Sequence, residues 1–222
     1  MRLIHDAWLI FQKDIRQEFK TRYSINAIFL FALVTLVAVS FSIGTFSATA
    51  EIKSALLWII IFFSAMSGLS HIFVREEEMH TADTLKLVTE PIAIFVGKFL
   101  FNLFLLFLLE MITVPLFFAV MNFEVKGVAL FLSVLFLGSV GLAAGATMTA
   151  AIISKASAKG ALFAVLSFPV LLPVIIAGIN GTKITVKEIA FAEVSSELQM
   201  LFAYSVVVIT AAILLFDFVW KE

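Results

Sequence analysis

Cysteine is absent from the 222 residues. That excludes disulfides, cysteine-ligated iron–sulfur clusters, thiolate haem ligation and thiol chemistry within the chain. Charge is scarce: Asp, Glu, Lys and Arg make up 14% of the residues, against roughly 25% in soluble domains. The formal net charge is -1, with no basic patch interleaved with aromatics and no zinc-finger spacing, so nucleic acid is excluded as a partner. No GxxxxGK[S/T] phosphate loop occurs, so any ATP-driven step needs an ATPase on another chain. His5, His71 and His80 show no ligand-pair spacing, and no nucleophile–base constellation stands out, so neither a metal site nor a catalytic site is expected. Met1–Arg22 is charged and amphipathic, unlike a cleaved signal peptide.

What is present is apolar. Hydrophobic residues make up 62% of the chain and the mean hydropathy is +1.12, the composition of an all-α integral membrane protein. Residues 1–222 read as one transmembrane domain. Leu3 to Tyr23 has helical periodicity, with Leu3, Ile4, Ala7, Trp8, Phe11, Ile15 and Phe19 on a broad apolar face. Asp6, Lys13, Asp14, Arg16, Gln17, Glu18 and Lys20 lie mostly elsewhere. This predicts an interfacial helix over 3–23. Six spans follow: 24–46, 54–74 with Trp58 near its outer end, 92–121, 128–153, 160–179 and 200–218.

Six spans put both ends of the sequence on one side. Arg2, Lys13, Arg16, Lys20, Arg22, Arg75, Lys86, Lys98, Lys155, Lys159 and Lys221 share that side. Lys53, Lys126, Lys183 and Lys187 lie opposite. The positive-inside rule then makes both termini and the 74–98 break cytoplasmic, and segment 180–199 extracytoplasmic.

The break between the second and third spans is the most charged stretch. It opens with Arg75, Glu76, Glu77 and Glu78. Thr81, Asp83 and Thr84 then suit the start of a short helix, with Asp83 near its positive end. Leu85, Leu87 and Val88 supply apolar contacts, and Glu90–Pro91 closes the segment. Residues 75–91 therefore read either as an element that docks into a groove of a soluble partner or as a solvated loop.

Inside the spans, Glu110 is the sharpest residue. A carboxylate at that depth faces the bundle or a polar cavity. It reads as a substrate-path or gating group, or as an inter-helix hydrogen bond. Asn102, two turns earlier, would join it only through a partner on another helix. Pro115, Pro169 and Pro173 are read as helix breaks. Gly138, Gly141 and Gly145 mark a face of small residues against which another helix packs closely.

Three stretches, in this order, resemble the CcmB family, the permease subunits of the cytochrome c maturation ABC transporter. The first is Leu57–Asn102, above all Phe73–Glu78, Thr84–Leu87 and Gly97–Asn102, continuing to Glu110 and Pro115. The second is Gly138–Ala151 with Pro169–Gly178, and the third is Phe216–Lys221. The likeness covers essentially the whole chain. It implies an ABC-2-like (type V) permease half in the bacterial inner membrane, two copies of which work with two copies of the ATPase CcmA. Arg75–Pro91 would be the coupling segment and the first helix the elbow. CcmC, CcmD and the haem chaperone CcmE would be associated proteins. ATP would be bound by CcmA, and haem would be the substrate handled. The function implied is coupling of ATP hydrolysis to haem handling and to release of haem-loaded CcmE, with haem export through the chain as the other reading, and no enzyme activity in this chain. An ABC-2 permease for another lipid, drug or glycan shares the same layout, and a non-transporting membrane scaffold is a further alternative.

Overall fold

Apolar periodicity becomes helix along the chain. The structure, a computed structural model, describes residues 2–43, 48–154, 159–186 and 191–221. Phe46, Lys155, Lys187, Glu188 and Glu222 lie outside the described residues, as do the side chains of Lys159, Glu193 and Lys221. Among the described residues there are nine helices and no strand. They are α1 (Arg2–Thr21), α2 (Tyr23–Ile43), α3 (Ala50–Gly68), α4 (His71–Glu78), α5 (Ala82–Val88), α6 (Pro91–Met121), α7 (Val128–Ile153), α8 (Lys159–Thr185) and α9 (Phe191–Lys221). Among the described residues six segments are long and apolar enough to cross a membrane: α2, the run Ala50–Glu78, α6, α7, Val165–Thr185 and Val194–Trp220. The chain is an all-α, six-span bundle.

The two ends of the bundle are fixed by contacts between loops and helix termini. At one end Lys53 Nζ donates to the Asn122 carbonyl at 3.2 Å, and the amides of Lys126 and Gly127 both reach the Thr185 carbonyl at 3.1 Å. At the other end α1, α4 and α5 gather with the last turn of α9, where Trp220 stacks on Phe216 and meets Phe73. The described beginning and end of the chain thus share one end, as an even number of spans requires.

α7 is the central helix and packs along α6, α8 and α9. Its small residues are where neighbours come close. A methyl group added at Gly138 would overlap the Trp58 ring, one at Gly145 would overlap Leu171, and one at Gly141 would stand 3.0 Å from Val174. Trp58 is clasped from a second side, since a methyl at Gly178 of α8 would also run into its indole. The indole N–H donates to Thr182 Oγ1 at 2.8 Å, so its one polar atom is satisfied.

Several expectations need correction. Trp58, in the early turns of α3, does not face lipid: it is fully buried between α7 and α8. Pro115, Pro169 and Pro173 do not break their helices; α6 and α8 run through them. Each proline removes one backbone donor, and the remaining ladder carries the helix across that gap. The Tyr204 hydroxyl of α9 donates to the Val170 carbonyl, one turn before Pro173, so a neighbouring helix serves the disturbed backbone. Within 180–199 the described residues are largely helical, since α8 continues to Thr185 and α9 begins at Phe191.

Gly138→Ala should place a methyl where the Trp58 ring sits and destabilise the bundle by about 1–3 kcal/mol, the usual cost of overpacking. Thermal unfolding of the purified protein would measure it, and an unchanged midpoint would count against this clasp.

Candidate functional site

Among the described residues one cationic side chain has no solvent exposure at all. Lys98 lies in the second turn of α6, one residue after Gly97. Gly97 is what lets α1 come close: a Cβ there would stand 2.7 Å from the Ala7 carbonyl and 2.8 Å from Ile10 Cβ. With α1 seated on that spot, its next buried position, Asp14, comes within reach of the lysine. Lys98 Nζ lies 3.4 Å from Asp14 Oδ2, 3.0 Å from Glu76 Oε1 and 3.1 Å from the Ile72 carbonyl, which it donates to. It also sits 5.1 Å from the Phe73 ring centroid.

Glu76 is the hub on the α4 side and is buried. Besides Lys98, its carboxylate accepts from Lys13 Nζ and from the Thr81 hydroxyl. Lys13 also pairs with Asp14 at 3.2 Å. Burial works against the charged form of Lys13, but the Asp14 and Glu76 carboxylates outweigh it and hold its pKa above the ordinary lysine value. The cluster therefore ties together α1, α4, the start of α5 and α6.

Glu18, one turn beyond Asp14, continues the buried polar stripe of α1. Its carboxylate accepts from the Ile25 amide at 3.0 Å, satisfying a free donor in the first turn of α2. It also lies 3.6 Å from Arg75 Nη1. Arg22, with φ of 54°, makes the sharp turn between α1 and α2. A cleft of about 520 Å³ opens beside this corner, with Glu18, Tyr23, His71, Arg75 and Glu78 on its walls.

The sequence-derived site residues divide into two groups. Glu76 is turned inward and bonded within the chain, so its side chain is not offered to a partner, which corrects its assignment to the docking face. Arg75 and Glu77 are partly buried, and Glu78 is exposed. Asp83, Thr84, Leu87 and Val88 of α5 face outward, and Leu85 is half-buried against the core. Leu87 is 87% exposed and Val88 is 68% exposed, an unusual state for apolar residues on a well-anchored helix. Thr81 does not cap α5 with its side chain, because its hydroxyl is given to Glu76.

At membrane depth, Asn102 and Glu110 do not bond to each other. Asn102 Nδ2 donates to Thr147 Oγ1 at 2.9 Å, and Ser139 Oγ donates to the Glu110 carboxyl. The partners on α7 are spaced like those on α6 but in reverse order, as antiparallel helices require. Both contacts fasten α6 to α7.

Lys98, Asp14, Lys13 and Glu18 were missed as site residues by reading the sequence. A signal existed: Lys98 is a lone charge within an apolar run, and Asp14 and Glu18 share a stripe with Ala7 and Ile10. Among the described residues no group of three or more His, Asp or Glu side chains is placed to hold a metal ion.

The fold and this site define a multi-pass helical membrane subunit of the ABC-2-like permease kind, with a charged strap, α4–α5, pinned across one end. A family model described as CcmB protein matches residues 5–218. The chain belongs to the CcmB family, the ABC transporter permeases of cytochrome c biogenesis. No curated protein matches its sequence.

Lys98→Met should lower stability by about 3–5 kcal/mol, because it leaves the buried Asp14 and Glu76 carboxylates to share Lys13, one positive charge short of balance. Adding Asp14→Asn should recover most of that loss, since Lys13 and Glu76 then remain as a balanced pair. Thermal unfolding of the single and double variants would check both, and equal losses would contradict the cluster's electrostatic origin.

Proposed function

We propose that this chain is the membrane half of a transporter whose ATP hydrolysis occurs in CcmA, and that α4–α5 is the coupling element between them. The observation that carries this reading is the pairing of an anchored base with an apolar tip. Glu76 and Thr81 hold the strap to Lys98 and α1, while Leu87 and Val88 stand exposed beyond it. A short helix with free apolar residues and firm internal anchorage suits insertion into a groove of a soluble partner. Force applied at its tip would pass through the Lys98 cluster to α1 and α6.

In this reading two copies of the chain pair with two copies of CcmA, alongside CcmC, CcmD and the haem chaperone CcmE. ATP hydrolysis in CcmA drives haem handling, ending in release of haem-loaded CcmE. The subunit works as a transmitter of movement, supported by polar contacts at Glu110 and Asn102 that knit α6 to α7 rather than lining a path. The end bearing α1, α4 and α5 faces the cytoplasm of the bacterial inner membrane, in keeping with its excess of Lys and Arg. The end bearing Asn122 and Thr185 faces out.

Leu87→Asp should reduce the CcmA recovered with the purified subunit by at least about tenfold, as expected for a central apolar contact replaced by a charge. Undiminished co-purification would contradict docking through α5. Retained binding with lost ATP-dependent release of CcmE would instead place the tip in transmission alone.

A further inference from the structure

α1 presents different chemistry around its circumference. Ala7, Ile10, Asp14 and Glu18 are buried toward the bundle. A second stripe is apolar yet exposed: Ile4 at 75%, Trp8 at 50% and Phe19 at 54%. At 100° per residue these three fall on one side of the helix, with half-buried Ile15 between them. Arg16 borders that stripe and Lys20 follows one turn on, further round the helix; both are exposed. Among the described residues, neither takes part in an ion pair.

Beside them a groove of about 590 Å³ runs between α1 and α5, with Gln12, Gln17, Thr81 and Thr84 on its walls. The single carboxylate in its lining, Glu76, is bonded to Lys98, Lys13 and Thr81, so its charge is compensated inside the protein. The groove edge is therefore left with the uncompensated positive charge of Arg16 and Lys20.

We propose that α1 is a binding site for an anionic phospholipid of the bilayer, with the headgroup phosphate between Arg16 and Lys20 and the acyl chains along Trp8 and Phe19. The apolar stripe and the basic edge lie side by side, which is the arrangement of the acyl and phosphate parts of one lipid. An exposed tryptophan next to lysine and arginine marks the depth at which headgroups sit. An acidic peptide would satisfy the basic edge but would leave the stripe in water, so charge and apolarity together favour the lipid. This site is independent of the coupling role of α5 and would persist without it.

The protein itself supplies the probe. Of its three tryptophans, Trp58 and Trp220 are buried at 0% and 1%, so quenchers on lipid chains reach Trp8. The full chain would be reconstituted in phosphatidylcholine vesicles containing a minor fraction of chain-brominated phosphatidylglycerol or, separately, chain-brominated phosphatidylcholine. At equal mole fraction the anionic lipid should quench more strongly, reflecting local enrichment of roughly fivefold per basic residue. Arg16→Gln with Lys20→Gln should erase the preference while leaving quenching by phosphatidylcholine intact, and Trp8→Phe should remove the lipid-dependent signal. Equal quenching by the two lipids in the unaltered protein would overturn the proposal. Absence of quenching by either would overturn it as well, and would point to a protein partner covering this face.

Discussion

The ammonium of Lys98 is the point on which one end of the molecule depends. A fully buried cation is tolerated only when its charge is met and its donors are used. Here two carboxylates and a backbone carbonyl supply those needs, and they come from α1 and α4. The consequence is geometric. Because Asp14 and Glu76 must reach the same nitrogen, α1 must lie on α6 and α4 must close over both. Gly97 makes the first of these approaches sterically open, and the Thr81 bond to Glu76 extends the second to the start of α5.

A hydrophobic cluster of similar size would hold such an end together at least as well, since desolvation offsets much of the attraction in a buried ion pair. What charge adds is directionality. Apolar contacts let helices slide, whereas an ammonium among defined acceptors permits one register. The same principle recurs at membrane depth, where Asn102–Thr147 and Glu110–Ser139 set the register of α6 against α7. Next to the Glu110–Ser139 contact, the clasp of Trp58 by Gly138 and Gly178 fixes α3 against α7 and α8 by shape, with Thr182 completing the indole's hydrogen bond. This CcmB-family chain is closely packed where its helices cross and presents apolar side chains at the tip of α5.

The six spans could be read from hydropathy because lipid-spanning helices need long apolar runs, and α7 begins and ends where its run does. Small residues at Gly138, Gly141 and Gly145 likewise announced close approach. What hydropathy could not tell was which way a charged residue points. Glu76 belongs to a run of three glutamates that reads as solvated, yet helical geometry turns it inward and leaves Glu78 outside. Asp14 and Glu18 were assigned to a polar face because a carboxylate in sequence carries no sign of a distant lysine; Lys98 is far along the chain. Prolines misled for a related reason, since a neighbour such as Tyr204, invisible to local reading, serves the backbone near Pro173. The family likeness, by contrast, rested on the order of several stretches, and it spans nearly the full length.

The central claim is that one buried ammonium holds the strap in place. Hydrogen–deuterium exchange resolved along the chain tests it most directly, comparing the unaltered protein with Lys98→Met in the same bilayer mimetic. The predicted result is faster exchange across α4 and α5 while the amides of α7 keep their protection. Unchanged protection in α4 and α5 would contradict it and would mean that packing alone secures this end of the bundle.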